Sequence, residues 1–353
     1  MSGRATGRAA GALAIALATL LIPAPTPGTT AEPAPLVIKL GTVAPFGTIV
    51  HKSLLELAEV FSAETGGRVR LQIYPGSVGD EAAIVRKLRI GQLHAATLTS
   101  KGLALITTEQ MAVQLPMLFD DTDEMDAVVG EMQPTFDRAL EEDGYVALFW
   151  CDGGWIQFFT RRPAVSVADV KGMRMWMWPG DPHAARSFAL LGFEPVILSD
   201  VDVIPSLQTG LVEVFPTTPV TAVALGSYPL TPHLIDVRWG SMLGGTIVTA
   251  AVWQQIDPAA RERIRARARQ LGRELTARAR ADAEASIAIM RRRGLTVHTP
   301  TPAQLAEWRA RSVEALAVVR GKSVDAALAD RAVALRDAYR ARQSPLAPAS
   351  QAR

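Results

Sequence analysis

"RVRLQIYPGSVGDEAAIVRKLRIGQLHAATLTS", residues 68–100, decides how the chain folds. Val69, Leu71 and Ile73 alternate with polar neighbours and halt at Pro75-Gly76, the period of a strand with one buried face. "GDEAAIVRKLRIGQL" then reads as a helix with Asp80 and Glu81 at its positive end. "HAATLTS" follows as a strand of small residues. Upstream, "LVIKLGTVAP" is a short buried strand ending in a loop. Between them "HKSLLELAEVFSAETGG" sets Leu54, Leu55, Leu57, Val60 and Phe61 on a helical stripe that stops at Gly66-Gly67. The order is β-α-β-α-β, which implies an open, largely parallel sheet with helices on both faces.

The middle of the chain repeats that grammar. "GYVALFWCDGGWIQFFT" reads as one or two strands around a Gly-Gly turn, and "SVADVKG" as a short helical turn capped by Ser166. "MRMWMW" is a strand, "DPHAARSFALLGF" a helix, "EPVIL" a strand, and "SDVDVIPSLQTGLVEV" a helix leading into "FPTTP". A second α/β lobe is therefore expected over about 156–240. "GGTIVTAAVWQQI" returns to strand-like composition before a long Arg/Ala-rich helix that begins at Asp257-Pro258. Interleaved Glu262, Glu274, Asp282 and Glu284 make its arginine run a solvated face rather than a nucleic-acid stripe. A further helix begins at the Thr-Pro cap of "TPTPAQLAEWRARSVEAL", and the Pro/Ala-rich tail over 344–353 is expected to be disordered.

The 353 residues are 48% hydrophobic and 20% charged, which suits two folded domains and excludes wholesale disorder. The first stretch lies outside that core. Arg4 and Arg8 precede an apolar run from Ala9 to Ile22, and small residues follow up to Ala31, the layout of a cleavable secretory signal peptide over 1–31. The run is too short for a spanning helix, which favours export over a retained anchor. Without Arg4 and Arg8 the remaining chain carries 35 basic and 35 acidic residues, so its charge gives no reason to expect nucleic acid or anionic lipid. Cys151 is the single cysteine, so stability comes from packing rather than disulfides.

Catalytic patterns are missing. His51, His94, His183, His233 and His298 are far apart and fall in no metal-ligand spacing, so no metal or other cofactor is expected. There is no G-x-S-x-G elbow, phosphate loop or dinucleotide fingerprint. Cys151 in "ALFWC" reads as a small buried hydrophobe, and the pairs Asp120-Asp121 and Asp200/Asp202 read as capping residues. Two exported α/β lobes without a nucleophile, base and oxyanion donor describe a binding protein rather than an enzyme.

At this point the segments resemble a known family, the DctP-type periplasmic solute receptors of tripartite ATP-independent periplasmic (TRAP) transporters. The resemblance runs from about Leu36 to Gly321. It rests on "LGTVAP", residues 61–96, "LPMLFDD", "RRPAVSVADVKGMRM", "LGFEPVILSDVDVIPSLQTGLVEV" and "WQQIDPAARERI" in order. It implies a two-lobed α/β periplasmic-binding-protein-like fold, each lobe a mixed sheet flanked by helices, with a long helix spanning the lobes. Lobe I would comprise 36–155 plus 241–281, and lobe II 156–240 plus 282–343. It also implies a monomeric periplasmic receptor that captures a small ligand in the interlobe cleft and delivers it to a TRAP-type permease, with no stable membrane insertion of its own.

The departures from the family pattern concern charge. The arginine that usually captures an organic acid falls at Trp176, a second common arginine falls at Trp155 and Ile156, and a family asparagine falls near Thr217. Acidic or amide groups at the end of the "HAATLTS" strand are replaced by Thr99 and Ser100. On a strand alternate side chains point opposite ways, so Arg174, Trp176 and Trp178 would share the cleft side while Met173, Met175 and Met177 face the core. The expected ligand-binding set is Val43, Phe46, Thr99, Ser100, Trp155, Arg174, Trp176, Trp178, Phe215, Thr217 and Thr218. Two alternatives stay open: Trp176 caps a core and leaves the ligand elsewhere, or Arg174 or Arg161 supplies a displaced cation for a conventional organic acid. A carboxylate taken from water needs a cation or several donors, and a pocket of indole, methionine and threonine offers stacking surface instead. The sequence therefore points to a ligand that is apolar, aromatic or neutral.

Overall fold

The first strands and helices follow the period of the sequence. In this computed structural model, which describes residues 34–179 and 182–343, β1 (Leu36–Thr42), α1 (Ile49–Thr65), β2 (Val69–Pro75), α2 (Glu81–Arg89) and β3 (Ala95–Thr99) alternate as expected. The signal peptide expected over 1–31 and the tail over 344–353 lie outside the described residues. β1 pairs in parallel with β2 on one side and β3 on the other, because each crossover is a helix that returns the chain to the end where the previous strand began. Thr48 caps α1 by accepting the His51 N–H at 3.3 Å, and Asp80 caps α2 by accepting the Ala83 N–H at 2.7 Å. The stripe of α1 is buried as its spacing requires: Leu54, Leu57 and Phe61 pack on Ile38 and Leu40 of β1.

The chain continues through α3 (Ser100–Leu103) and α4 (Thr122–Glu142) into β4 (Tyr145–Thr160), which is one strand of 16 residues. The Gly-Gly turn expected here is absent. Gly153 and Gly154 instead form an irregularity within β4, where pairing with β8 (His233–Thr249) shifts between Asp152 and Trp155. Gly154 holds φ at 97°, a conformation that a side chain at this position would strain.

The second half repeats the β-α-β order with β5 (Arg174–Met177), α5 (Pro182–Leu190), β6 (Glu194–Ile197), α6 (Val203–Thr209), β7 (Val214–Thr217) and α7 (Pro219–Ala224). β5 pairs in parallel with β6 and with β7. Met173, Met175 and Met177 are buried together with Phe158, Trp239 and Trp308, as the alternation in "MRMWMW" requires. The "AVWQQI" stretch, strand-like in composition, is mostly helical: Thr249 ends β8, and α8 (Ala250–Trp253) buries Trp253 against Phe61. After α9 (Pro258–Arg292) come β9 (Thr296–His298), α10 (Pro302–Val319) and α11 (Ala326–Gln343). Thr301 and Gln304 close a capping box at the start of α10, where the Thr-Pro pair marks a helix start.

The described strands form one sheet in the order β2-β1-β3-β8-β4-β7-β5-β6, with β9 on β8. β8 and β4 are antiparallel and run through both halves, so two parallel α/β units are joined by one continuous ribbon. α9 lies along that ribbon and packs on β4, α1 and α7, reaching both halves. Two of its arginines are tied to α1, Arg263 to Glu64 at 2.6 Å and Arg278 to Glu56 at 2.8 Å, as a paired face would be. No described helix is long and apolar enough to cross a membrane.

Candidate functional site

The parallel strands of both halves end at the same place. A cavity of about 400 Å³ opens there, walled by the β1 end and its loop (Thr42, Val43), the β3 end (Thr97, Thr99), the residues around β5 (Trp176, Trp178) and β7 (Phe215, Thr217, Thr218), and the Cys151-Asp152-Gly153 stretch of β4. Open α/β sheets place ligands outside the carboxyl ends of their strands, because the loops there converge without filling the space.

Trp176 has two roles. It is 1% exposed, packed among Val203, Leu207, Val212 and Phe215, and it also borders the cavity. Trp178 meets it edge-on at 4.0 Å between ring centroids, and Phe215 meets it edge-on at 5.5 Å. Its indole Nε1 is buried without a hydrogen-bond partner. An unpaired buried donor costs about 1–3 kcal/mol.

Of the residues expected from sequence, Val43, Thr99, Trp176, Trp178, Phe215, Thr217 and Thr218 are on this wall, and four are elsewhere. Arg174 is drawn away. Its Nε donates to the Leu211 carbonyl at 3.0 Å and its Nη2 to the Gly210 carbonyl at 2.9 Å, and Glu213 pairs with it at 3.1 Å. Arg174, the first residue of β5, is off the wall that Trp176, two residues on, borders. Arg161, the other displaced cation considered, donates to the Leu207 carbonyl at 2.8 Å and is also off the wall. Ser100 is buried with its hydroxyl on Gln114 at 3.2 Å. Trp155, after the irregularity at Gly153-Gly154, is half-buried against the core cluster around Met111, Leu118 and Leu243, with the Arg238 guanidinium 5.5 Å from its ring centroid, and is off the cavity wall. Phe46 is 81% exposed beside His51. Trp150, next to the Cys151 stretch of β4, donates its indole N–H to Asp137 at 2.7 Å and does not border the cavity.

The wall also holds groups that the sequence assigns to capping or core. Glu81, in the first turn of α2, folds back so that its carboxylate accepts the Thr99 N–H at 2.6 Å and the Thr99 hydroxyl at 2.8 Å. It occupies space that only glycine leaves free, since a Cβ on Gly102 would lie 2.6 Å from its carboxyl carbon. Burial pushes the Glu81 carboxyl above its ordinary value, the Thr99 hydrogen bonds pull it back, and the nearby Asp200 adds to the rise. Asp152 is likewise raised by burial, against the pull of Arg280 at 3.1 Å. Cys151 is pushed up to about 12 by burial with a contribution from Asp152, which keeps it a thiol at neutral pH. The signal for Glu81 and Asp200 was present as acidic residues at helix starts, but capping explained them equally well.

One pH dependence follows from Glu81. A carboxyl whose folded value lies above its unfolded one contributes stability that is complete below the unfolded value, 4.5, and is lost as pH rises through the folded one. Glu81→Gln is therefore expected to raise the unfolding midpoint at pH 8 and to match the wild type at pH 4. Calorimetric scans across that range check it, and a variant less stable than the wild type at pH 8 contradicts it.

A concave site at the strand ends of two joined α/β units is the arrangement of a two-lobed solute-binding protein. The chain belongs to the bacterial extracellular solute-binding proteins of family 7 (DctP), whose family model matches residues 40–320. It is 22% identical over 276 residues to SiaP, the sialic acid-binding periplasmic protein of Vibrio cholerae, covering 76% of this chain and 84% of SiaP. It is 25% identical over 169 residues to the uncharacterised protein YiiZ of Salmonella typhimurium, covering 46% of this chain and about half, 51%, of the length of YiiZ. The fold matches a TRAP periplasmic solute-binding protein of Ralstonia eutropha, crystallised with bound (S)-2-acetolactate, at a TM-score of 0.80 and 21% identity. That match covers 86% of this chain and 99% of the other.

Proposed function

We propose that this chain is the periplasmic receptor of a TRAP-type transporter, exported by a cleavable signal peptide, and that it captures a ligand other than an organic acid. The ligand site is the cavity bordered by Val43, Thr99, Trp176, Trp178, Phe215, Thr217 and Thr218. Lobe I comprises 36–155 with 241–281, and lobe II comprises 156–240 with 282–343. The boundary then falls between the pairs Trp155–Ser241 and Ile156–Gly240, flanked by two of the register shifts of β4 against β8. A ribbon with such irregularities bends more readily than a regular one. The receptor acts as a monomer and hands its ligand to the permease.

One observation carries the ligand class. Among the described residues, no lysine, arginine or histidine borders the cavity, while three aromatic rings do. Transfer of a carboxylate into such a wall leaves its desolvation uncompensated. The competing reading, an organic acid, draws on SiaP, named for sialic acid, and on the acetolactate in the Ralstonia neighbour. It requires Arg174 to leave Glu213 and two backbone carbonyls.

Thermal unfolding with succinate and with 2-phenylethanol separates the two. Binding at roughly 100 times Kd stabilises a protein by about 2.7 kcal/mol, which a thermal scan resolves readily. Stabilisation by 2-phenylethanol is the expected result. Stabilisation by succinate alone favours the organic acid.

A further inference from the structure

We propose that the guest of this cavity is an organic cation, an amine or quaternary ammonium on an apolar or aromatic body, with its nitrogen between Glu81 and Asp200. The inference rests on the cavity being the ligand site and narrows what that site accepts. Every charged residue on the described wall is acidic: Glu81, Asp152 and Asp200. Asp152 is already committed, with one oxygen on Arg280 at 3.1 Å and the other accepting the Gly154 N–H at 3.0 Å.

Glu81 and Asp200 are not matched in that way. Glu81 is buried, and Thr99 supplies it with hydrogen bonds but no positive charge. Asp200 accepts the Ser199 hydroxyl and the Val201 N–H, both at 3.1 Å and both on the same oxygen, and has no cationic partner among the described residues. Glu81 comes from α2 of the first half and Asp200 from the turn before α6 of the second, so like charges from the two halves border one cavity. Their mutual repulsion is part of what lifts the Glu81 carboxyl. A neutral guest leaves that repulsion in place, an anion adds to it, and a cation removes it.

A second observation is independent of the carboxylates. Trp176 and Trp178 present indole surface, and Phe215 a phenyl ring, to the same cavity. Aromatic faces attract ammonium groups, tryptophan most strongly, and the attraction grows once the pair is desolvated.

The test compares three probes of one shape on the full exported chain: 2-phenylethylammonium, 2-phenylethanol and 3-phenylpropanoate, by titration calorimetry with wild type, Asp200→Asn and Glu81→Gln. The ammonium is expected to bind most tightly. Asp200→Asn is expected to weaken it roughly tenfold, the usual scale for a hydrogen bond to a charged group, and to leave the alcohol unchanged. Unfolding midpoints of the ligand-free variants separate loss of binding from loss of fold. Equal affinity for alcohol and ammonium, equal weakening of both by Asp200→Asn, or no response to the ammonium overturns the cation and leaves the uncharged ligand standing. Preference for 3-phenylpropanoate overturns both readings.

Discussion

Trp176→Ala is expected to lose about 3–5 kcal/mol of stability and, with it, most of the affinity for whatever compound stabilises the wild type. The indole is 1% exposed and packs among Val203, Leu207, Val212 and Phe215, so its removal opens a void that these neighbours cannot fill without moving. It also borders the cavity, so the same truncation takes away one wall of the site. Trp176→Phe separates the two effects. A phenyl ring fills part of the space, so the fold is expected to lose less than with alanine, and part of the site wall is kept. Denaturant titration and calorimetry on both variants check this. Unchanged ligand affinity in Trp176→Ala would remove the residue from the site and leave it as a core filler only.

The second large effect lies on α9. Gly272→Ala is expected to destabilise by about 1–3 kcal/mol, although alanine is normally worth up to about 1 kcal/mol over glycine inside a helix. A Cβ at this position would lie 2.7 Å from the Cβ of Phe149 and 2.7 Å from the carbonyl oxygen of Trp150, and a backbone carbonyl in a central strand cannot step aside. Gly130 is the matched control. It sits in α4, where a Cβ meets nothing within 4 Å, so Gly130→Ala is expected to be neutral or stabilising. The contrast in sign, read from denaturation midpoints, measures how closely α9 is held to β4. Equal responses at the two glycines would mean that α9 stands off the ribbon.

The alternation of Met173, Met175 and Met177 against Trp176 and Trp178 was legible, because strand period is local and each side chain reports its own face. The β-α-β order of both halves was legible for the same reason. Trp155 shows the limit. Its position in the family pattern suggested the cleft, but the register of β4 against β8 shifts between Asp152 and Trp155 and again between Ile156 and Phe158, so facing cannot be counted along the strand. Arg174 shows another. A strand-face argument cannot see that the Gly210 and Leu211 carbonyls and the Glu213 carboxylate wait beside its start.

The sequence by itself determined the strands and helices of the two β-α-β runs, that they form two α/β units, and that the usual acid-capturing arginine position of the family pattern holds a tryptophan. Hydrophobic period and residue identity carry that information within a few residues of each position. Only the tertiary structure decided which charges reach the cavity. It brings Glu81 and Asp200 together from helix starts more than a hundred residues apart, and it ties Arg174 to carbonyls outside the wall. The physical reason is that charge acts through distance in space, and that distance is set by β4, β8 and α9 packing the two units together.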